Sequence, residues 1–281
     1  MIYNLIIYIY LVKMQKKIIL IAEIGENHLG KINYAKKMIR YAKYSRADYV
    51  KFQSYNEKCL TKNDPEYEWF KRVSLSNKDH YELQNYSRKQ KIKFMSSPFS
   101  LERAEFLCER LKMKEIKVAS AKITDLRLLR YLNKKCNKVY LSTGLSNINE
   151  IKKSLKVLSN VGVNILHCVS EYPLKYQNAN LLAIKHLKEK FPNYTIGYSD
   201  HTIGNIAVLT AVALGATVIE KHFTLNKKFE GTDHILSASR KDLLEIRNSI
   251  DNIAKLLGNE KKTLTKKEKK ILKFIRNRFK N

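Results

Sequence analysis

Short apolar runs rich in Ile and Val alternate along the chain with longer segments of helical period. The strand-like runs span 18–24, 49–52, 93–96, 116–119, 139–142, 164–167, 195–198 and 217–220. Helical candidates follow them near 33–45, 78–90, 101–111, 125–134, 147–160, 179–190, 204–214 and 240–257. In 147–160, Ile148, Ile151, Leu155 and Leu158 fall at three- and four-residue steps, on one helix face. Asn147 stands as the N-cap, with Glu150 three residues on, a capping-box pattern. The stretch 204–214 is apolar nearly all round, and Gly215 follows where a left-handed C-cap is expected.

Strands that are apolar on both faces and alternate with helices imply a parallel sheet covered on both sides. Eight such units close naturally into a (β/α)₈ TIM barrel. An open doubly wound sheet is the alternative, but no Gly-rich dinucleotide loop follows the first strand. The expected organisation is an N-terminal extension at 1–16, a barrel at 17–257 and a basic C-terminal tail at 258–281.

The extension carries an apolar run shorter than the roughly 20 residues that span a bilayer. It also lacks the basic start and small-residue cleavage site of a signal peptide. The strand pattern begins at Lys17, just after Met14, so Met14 is the expected start of translation. No membrane association is expected.

Polar and ionisable residues collect where the apolar strands end. Glu23 follows the first, Lys51 and Gln53 stand at the second, and Ser96 and Ser97 at the third. Lys117 and Ser120 mark the fourth, and Ser142, Thr143 and Gly144 the fifth. The sixth carries His167, Ser170 and Tyr172, the seventh Ser199, Asp200 and His201, and the eighth Glu220, Lys221 and His222. In a barrel these ends converge on one rim, where active sites are built. Packing alone explains such a ring poorly, because burying charge without partners is costly.

Lys51 and Lys117, with the hydroxyls of Ser97, Ser120, Ser142 and Ser199, suit a phosphate and a carboxylate. Singly, His201 and His222 read as hydrogen-bonded core residues. As a pair on neighbouring strand tips they read as ligands of one divalent metal. His28, His80 and His186 read as surface or loop residues, and His234 is unassigned.

The chain's formal charge is +28 at pH 7 over 281 residues. Such an excess suggests a polyanionic partner, but the lysines are scattered and no nucleic-acid motif accompanies them. No nucleic-acid partner is therefore expected, and the field would instead gather an anionic substrate. Cys59, Cys108, Cys136 and Cys168 form no CxxC pair, which fits reduced thiols in a cytoplasmic protein. Cys168 lies in an apolar run and reads as a buried small hydrophobe rather than a nucleophile.

Nine segments then stand in a familiar order: AEIGENHLG (22–30), VKFQ (50–53), SSPFS (96–100), KVAS (117–120), LSTGLS (141–146), LHCVSEYP (166–173), GYSDHTIG (197–204), ALGATVIEKHFT (213–224) and GTDH (231–234). Together they resemble the N-acetylneuraminate (sialic acid) synthase family, whose members also make legionaminic and pseudaminic acids. The resemblance runs from about residue 18 to 252. It implies a metal-dependent condensation of phosphoenolpyruvate with an N-acyl amino-sugar aldehyde, N-acetylmannosamine-like, to a nine-carbon 2-keto acid. On the matching motifs, His201 and His222 would hold Mn²⁺ or Mg²⁺. Lys51, Ser97, Lys117, Ser120, Ser142 and Ser199 would bind phosphoenolpyruvate. Glu23 would act beside the reacting carbons, and Gln53, Tyr172 and Asp233 would contact the sugar; Ser170 joins the substrate-binding set.

The sequence departs from the family pattern at Ala121, commonly glycine, Lys122, commonly acidic or polar, and Thr232, commonly proline. Family members usually carry a C-terminal antifreeze-like (SAF) domain that offers an arginine across a dimer. Here the chain stops after a segment that resembles only the lead-in to that domain. The arginine and the domain-swapped arrangement are therefore not carried over, though a homodimer remains compatible. Two alternatives stand beside the synthase reading: a related condensation on a different or phosphorylated aldose, and an inactive barrel remnant serving as a binding protein.

Overall fold

The structure is a computed structural model that describes residues 17–258 and 261–278. The expected extension and the Met14 start lie outside the described residues. The first barrel units are β1 (Ile19–Gly25), α1 (Ile32–Tyr44), β2 (Tyr49–Ser54), α2 (Tyr67–Val73), α3 (Asn77–Lys89), β3 (Lys93–Pro98) and α4 (Leu101–Glu105). They are followed by β4 (Glu115–Val118), α5 (Leu126–Lys135), β5 (Lys138–Ser142), α6 (Ile148–Val157), β6 (Gly162–Cys168) and α7 (Ala183–Lys190). The last are β7 (Thr195–Asp200), α8 (Ile206–Ala213), β8 (Val218–His222), α9 (Arg240–Leu257) and α10 (Lys266–Asn277).

All strand pairs are parallel, in the order β3-β2-β1-β8-β7-β6-β5-β4. The two end strands, β3 and β4, pack against each other, so the sheet curls into the expected (β/α)₈ barrel. Its outer layer is apolar because every second strand residue faces the helices. Leu20, Ala22, Val50, Phe52, Ile116, Val118 and Ile219 are fully buried there against helix residues such as Met38, Leu83, Leu132 and Val208. Each of these side chains other than Ala22 contributes roughly 1.5–3 kcal/mol on burial. In α1 the buried set is Ala35, Met38, Ile39 and Ala42, the stripe that period 3.6 demands.

The other strand parity fills the barrel. Ile21, Tyr49, Met95, Tyr140, Leu166 and Val218 form an inner apolar plug, packed with Ile19. Gly197 belongs to this inner parity, and a Cβ there would lie 2.5 Å from Val218 O. Two residues further along each strand, the lining turns polar.

The expected caps are present. Asn147 accepts from the backbone N–H of Glu150, and Glu150 accepts from that of Asn147. Gly215 adopts φ +97° after α8. Other expectations are corrected. The tail includes a helix, α10, and α2 was not expected at all. The helix expected at 101–111 passes from α4 into a π turn at Phe106–Arg110. His80 is buried within α3 rather than on the surface or in a loop, with its Nδ1 2.9 Å from Ser76 O, and His28 lies in the loop after β1 as expected but is buried there. His186 does lie on the surface, on α7. No described helix is long and apolar enough to cross a membrane.

Candidate active site

At the C-terminal ends of the strands lies a cavity of about 430 Å³. Its floor is set by strand parity: above the plug stand Glu23, Lys51, Lys117, Ser142, Cys168, Ser199 and Glu220, one from each of seven strands. Ser97 supplies the equivalent position on β3; it is buried but does not line the cavity. A second cavity, of about 480 Å³, opens among the strand starts near Tyr49, Lys93 and Glu115. It lies at the barrel face that serves stability rather than chemistry, and the convergent inner ring is absent from its lining.

The floor is a buried charge network. Lys51 Nζ lies 3.0 Å from Glu220 Oε1 and 3.1 Å from Glu23 Oε2, and Lys117 Nζ lies 3.4 Å from Glu220 Oε1. Ser199 Oγ donates to the same Glu220 oxygen at 3.0 Å. Burial penalises the Glu220 charge, but Lys117 and Lys51 outweigh it and hold its pKa down to about 2. Burial likewise opposes the Lys51 charge, yet Glu220 and Glu23 keep its pKa above the ordinary lysine value. Lys117 moves the other way: burial depresses it, only partly offset by Glu220. Burial raises Glu23, with Lys51 opposing.

Beside the lysines is a set of hydroxyls. Ser120 Oγ accepts from Gly144 N at 3.1 Å. A Cβ at Gly144 would stand 2.5 Å from Ser170 Oγ and 2.7 Å from Ser120 Oγ, so only glycine lets the backbone run this close. Ser142 Oγ and Ser97 Oγ are buried without a hydrogen-bond partner among the described residues. Of these, Ser142 lines the cavity with Lys51 and Lys117, and a buried hydroxyl free to donate beside two lysines suits an oxyanion. Cys168 is buried as expected, with Ser120 Oγ 3.5 Å from its Sγ.

Across the floor, the rings of His201 and His222 have centroids 5.3 Å apart, and Tyr172 lies over His201 at 4.1 Å. His201 Nδ1 sits 2.6 Å from Val169 O, which leaves Nε2 available as a ligand. His222 Nδ1 lies 3.1 Å from Asp233 Oδ2. Burial and the neighbouring His222 lower the His201 pKa to about 4, so this imidazole is neutral at pH 7. Two imidazoles with the carboxylates of Glu23 and Asp233 at the cavity wall fit a divalent ion of intermediate softness. Among the described residues no three His, Cys, Asp or Glu side chains form a ligand cluster.

Apart from Ser97, every expected site residue lines this one cavity: Gln53, Ser120, Ser170, Tyr172 and Asp233 stand with the floor residues and the histidines. Two further residues were missed. Glu220, which joins both lysines, was grouped with its strand end but given no role; parity with Val218 and His222 would have turned it inward. Glu26 also lines the cavity, accepting from the Trp69 indole N–H at 2.6 Å and from Thr232 Oγ1 at 3.0 Å. Burial and the nearby Asp233 raise its pKa to about 7. Of the departures, Thr232 and Ala121 line the cavity, whereas Lys122 lies off it, 3.8 Å from Asp125.

Comparison with known proteins follows this geometry. The NeuB family profile matches residues 38–262. The chain is 43% identical to an uncharacterized protein of Methanocaldococcus jannaschii, over 90% of this chain and 76% of that protein. It is 40% identical to the N,N'-diacetyllegionaminic acid synthase of Campylobacter jejuni, over 93% of this chain and 84% of that one. The crystal structure of N-acetylneuraminic acid (sialic acid) synthetase from Leptospira borgpetersenii, in complex with citrate, superposes with a TM-score of 0.88. The two chains are 32% identical, and the match covers 95% of this chain and 94% of the other.

Proposed function

This chain belongs to the NeuB family, and on that premise we propose that it condenses phosphoenolpyruvate with the open-chain aldehyde of an N-acyl amino sugar. The products are a nine-carbon 2-keto sugar acid and inorganic phosphate. The observation that carries this reading is a floor on which two buried lysines and unpaired serine hydroxyls adjoin a pair of histidines. The first group suits an enol phosphate and the second an aldehyde oxygen. Acceptors with acylamino groups are favoured by the name of the Campylobacter relative.

In this reading Lys51 and Lys117 neutralise the phosphate and carboxylate of phosphoenolpyruvate, and Ser97, Ser120, Ser142 and Ser199 add hydrogen bonds. Gly144 N–H holds the Ser120 hydroxyl in place, and Ser170 completes the cradle. His201 and His222 would hold a manganese or magnesium ion, which would supply Lewis-acid polarisation of the aldehyde oxygen. Gln53, Tyr172 and Asp233 orient the sugar so that its aldehyde carbon faces C3 of the enol phosphate.

The C3–aldehyde bond forms as electrons leave the enol double bond, and positive charge develops at C2 and its oxygen. Glu23 stands where it can stabilise that charge. Its raised pKa also lets it take the proton of the water that adds to C2 and pass one to the new alkoxide. The C2–O bond to phosphate then breaks as the C2 hydroxyl yields its proton to the departing phosphate, and the 2-keto group remains. The lysines hold the departing phosphate, so its charge is met by groups already in place.

Phosphate release tests the reading. The protein, phosphoenolpyruvate and manganese are combined with a panel of N-acyl amino sugars, each with and without EDTA. Release that needs both a sugar and the metal is expected. No release with any sugar from the folded protein would overturn it.

A further inference from the structure

Strand parity places Ser199 and Glu220 facing the cavity, and His201 and His222 line it again two residues on. Between them, Asp200 and Lys221 are paired directly across β7 and β8 and are absent from the cavity lining. Both are fully buried, at 0% and 1% exposure. Lys221 Nζ lies 2.6 Å from Asp200 Oδ2 and also donates to the carbonyl of Thr202. Asp200 Oδ1 accepts from Thr202 N and from Tyr198 OH, each at 2.9 Å. One ammonium group therefore grips the residues on both sides of His201, from the position that immediately precedes His222.

A buried ion pair is seldom the best way to gain stability, since apolar residues of similar volume often do as well. Fixing one geometry is a better-attested use. Strand β7 ends at Asp200; beyond it Leu174 N–H donates to the His201 carbonyl at 2.9 Å and bridges Thr202 on the β6 side, which leaves the β8 side to Lys221. We infer that Lys221, through Asp200 and Thr202, is a positioning residue that sets the separation of the His201 and His222 imidazoles for a divalent cation. This rests on the metal reading proposed above. The backbone tether to Val169 fixes the rotation of the His201 ring, whereas Lys221 fixes where the His201 backbone stands relative to β8.

Manganese binding to the whole purified chain tests this by electron paramagnetic resonance, with titration calorimetry as a second readout. Wild type, Lys221→Met and His222→Ala are compared at a temperature well below unfolding, and each is melted separately in EDTA. Wild type is expected to bind one manganese ion, and His222→Ala to lose it. Lys221→Met should weaken the dissociation constant about 10- to 100-fold, as loss of groups that orient metal ligands does.

A merely structural role would lower the melting temperature in EDTA and leave manganese affinity unchanged; that result overturns the inference. Should Lys221→Met fail to fold, Lys221→Met/Asp200→Asn removes both charges, keeps an acceptor for Thr202 N, and carries the same expectation. A wild type that binds no manganese overturns the metal reading and this inference together. Wild-type binding that His222→Ala abolishes and Lys221→Met leaves unchanged overturns this inference alone.

Discussion

Lys51 Nζ lies 3.0 Å from Glu220 Oε1, and both groups are buried beneath the cavity. Because the same oxygen also faces Lys117, one carboxylate compensates two cations. Removing it leaves buried positive charge short of a partner. Glu220→Gln should lose about 3 kcal/mol of stability. Inorganic phosphate should restore more stability to the variant than to wild type, because an anion would then replace the lost charge. Thermal melts with and without phosphate check this; equal phosphate shifts in the two proteins would count against a lysine-lined anion site.

The histidine pair gives a second expectation. His201→Ala or His222→Ala should cut metal-stimulated phosphate release by roughly two orders of magnitude or more, with circular dichroism and melting nearly unchanged. Initial rates across a manganese titration would show it. Full activity and an unchanged response to EDTA in either variant would refute the assignment.

Gly144 separates binding from folding. The nearest atoms a methyl group would meet are the hydroxyls of Ser120 and Ser170, which can rotate aside, while Ser120 Cβ at 3.1 Å has to give by only a few tenths of an ångström. Gly144→Ala should therefore fold, yet displace two donors from the cradle. Hydrogen bonds to charged groups contribute about 1.5–3 kcal/mol each, so KM for phosphoenolpyruvate should rise about tenfold or more. A KM at the wild-type value would exclude these hydroxyls from the phosphate site.

Glu26 predicts a pH dependence of stability. Its pKa rises from 4.5 to about 7 on folding, so the folded chain binds the proton more tightly than the unfolded one. That contribution is complete below about pH 4.5 and is lost as pH climbs through about 7. Its size is about 3 kcal/mol at most. Glu26→Gln, which resembles the protonated acid, should flatten this part of the stability profile. Urea midpoints at pH 5 and pH 8 for both proteins decide it; parallel profiles would place the Glu26 pKa near its ordinary value.

The apolar runs alone predict all eight strands, since a barrel strand is buried on both faces and admits few polar residues until its C-terminal end. The same rule explains why Lys51, Lys117, His201 and His222 stood out: nothing in an apolar strand hides a charge. Glu220 was harder to recognise, because a glutamate at a strand end reads as solvated until its parity is counted against Val218. The burial of His28 and His80 was hidden for a related reason. Neither lies in an apolar run, and their burial comes from segments distant in sequence, such as the Phe52 and Phe106 rings beside them. The link from Glu26 to Trp69 and Thr232 joins three separate loops, a relationship that local pattern does not carry.

Trp69 is the chain's one tryptophan. Its indole donates to a carboxyl at the cavity wall, and Arg72 lies 4.6 Å over its ring. Emission excited at the indole band therefore comes from a single place, one hydrogen bond from a carboxyl that lines the cavity. Anything that enters the cavity, or takes the proton from Glu26, changes the electric field around that one fluorophore. The enzyme carries its own optical gauge of occupancy, with no label to attach and no second signal to subtract.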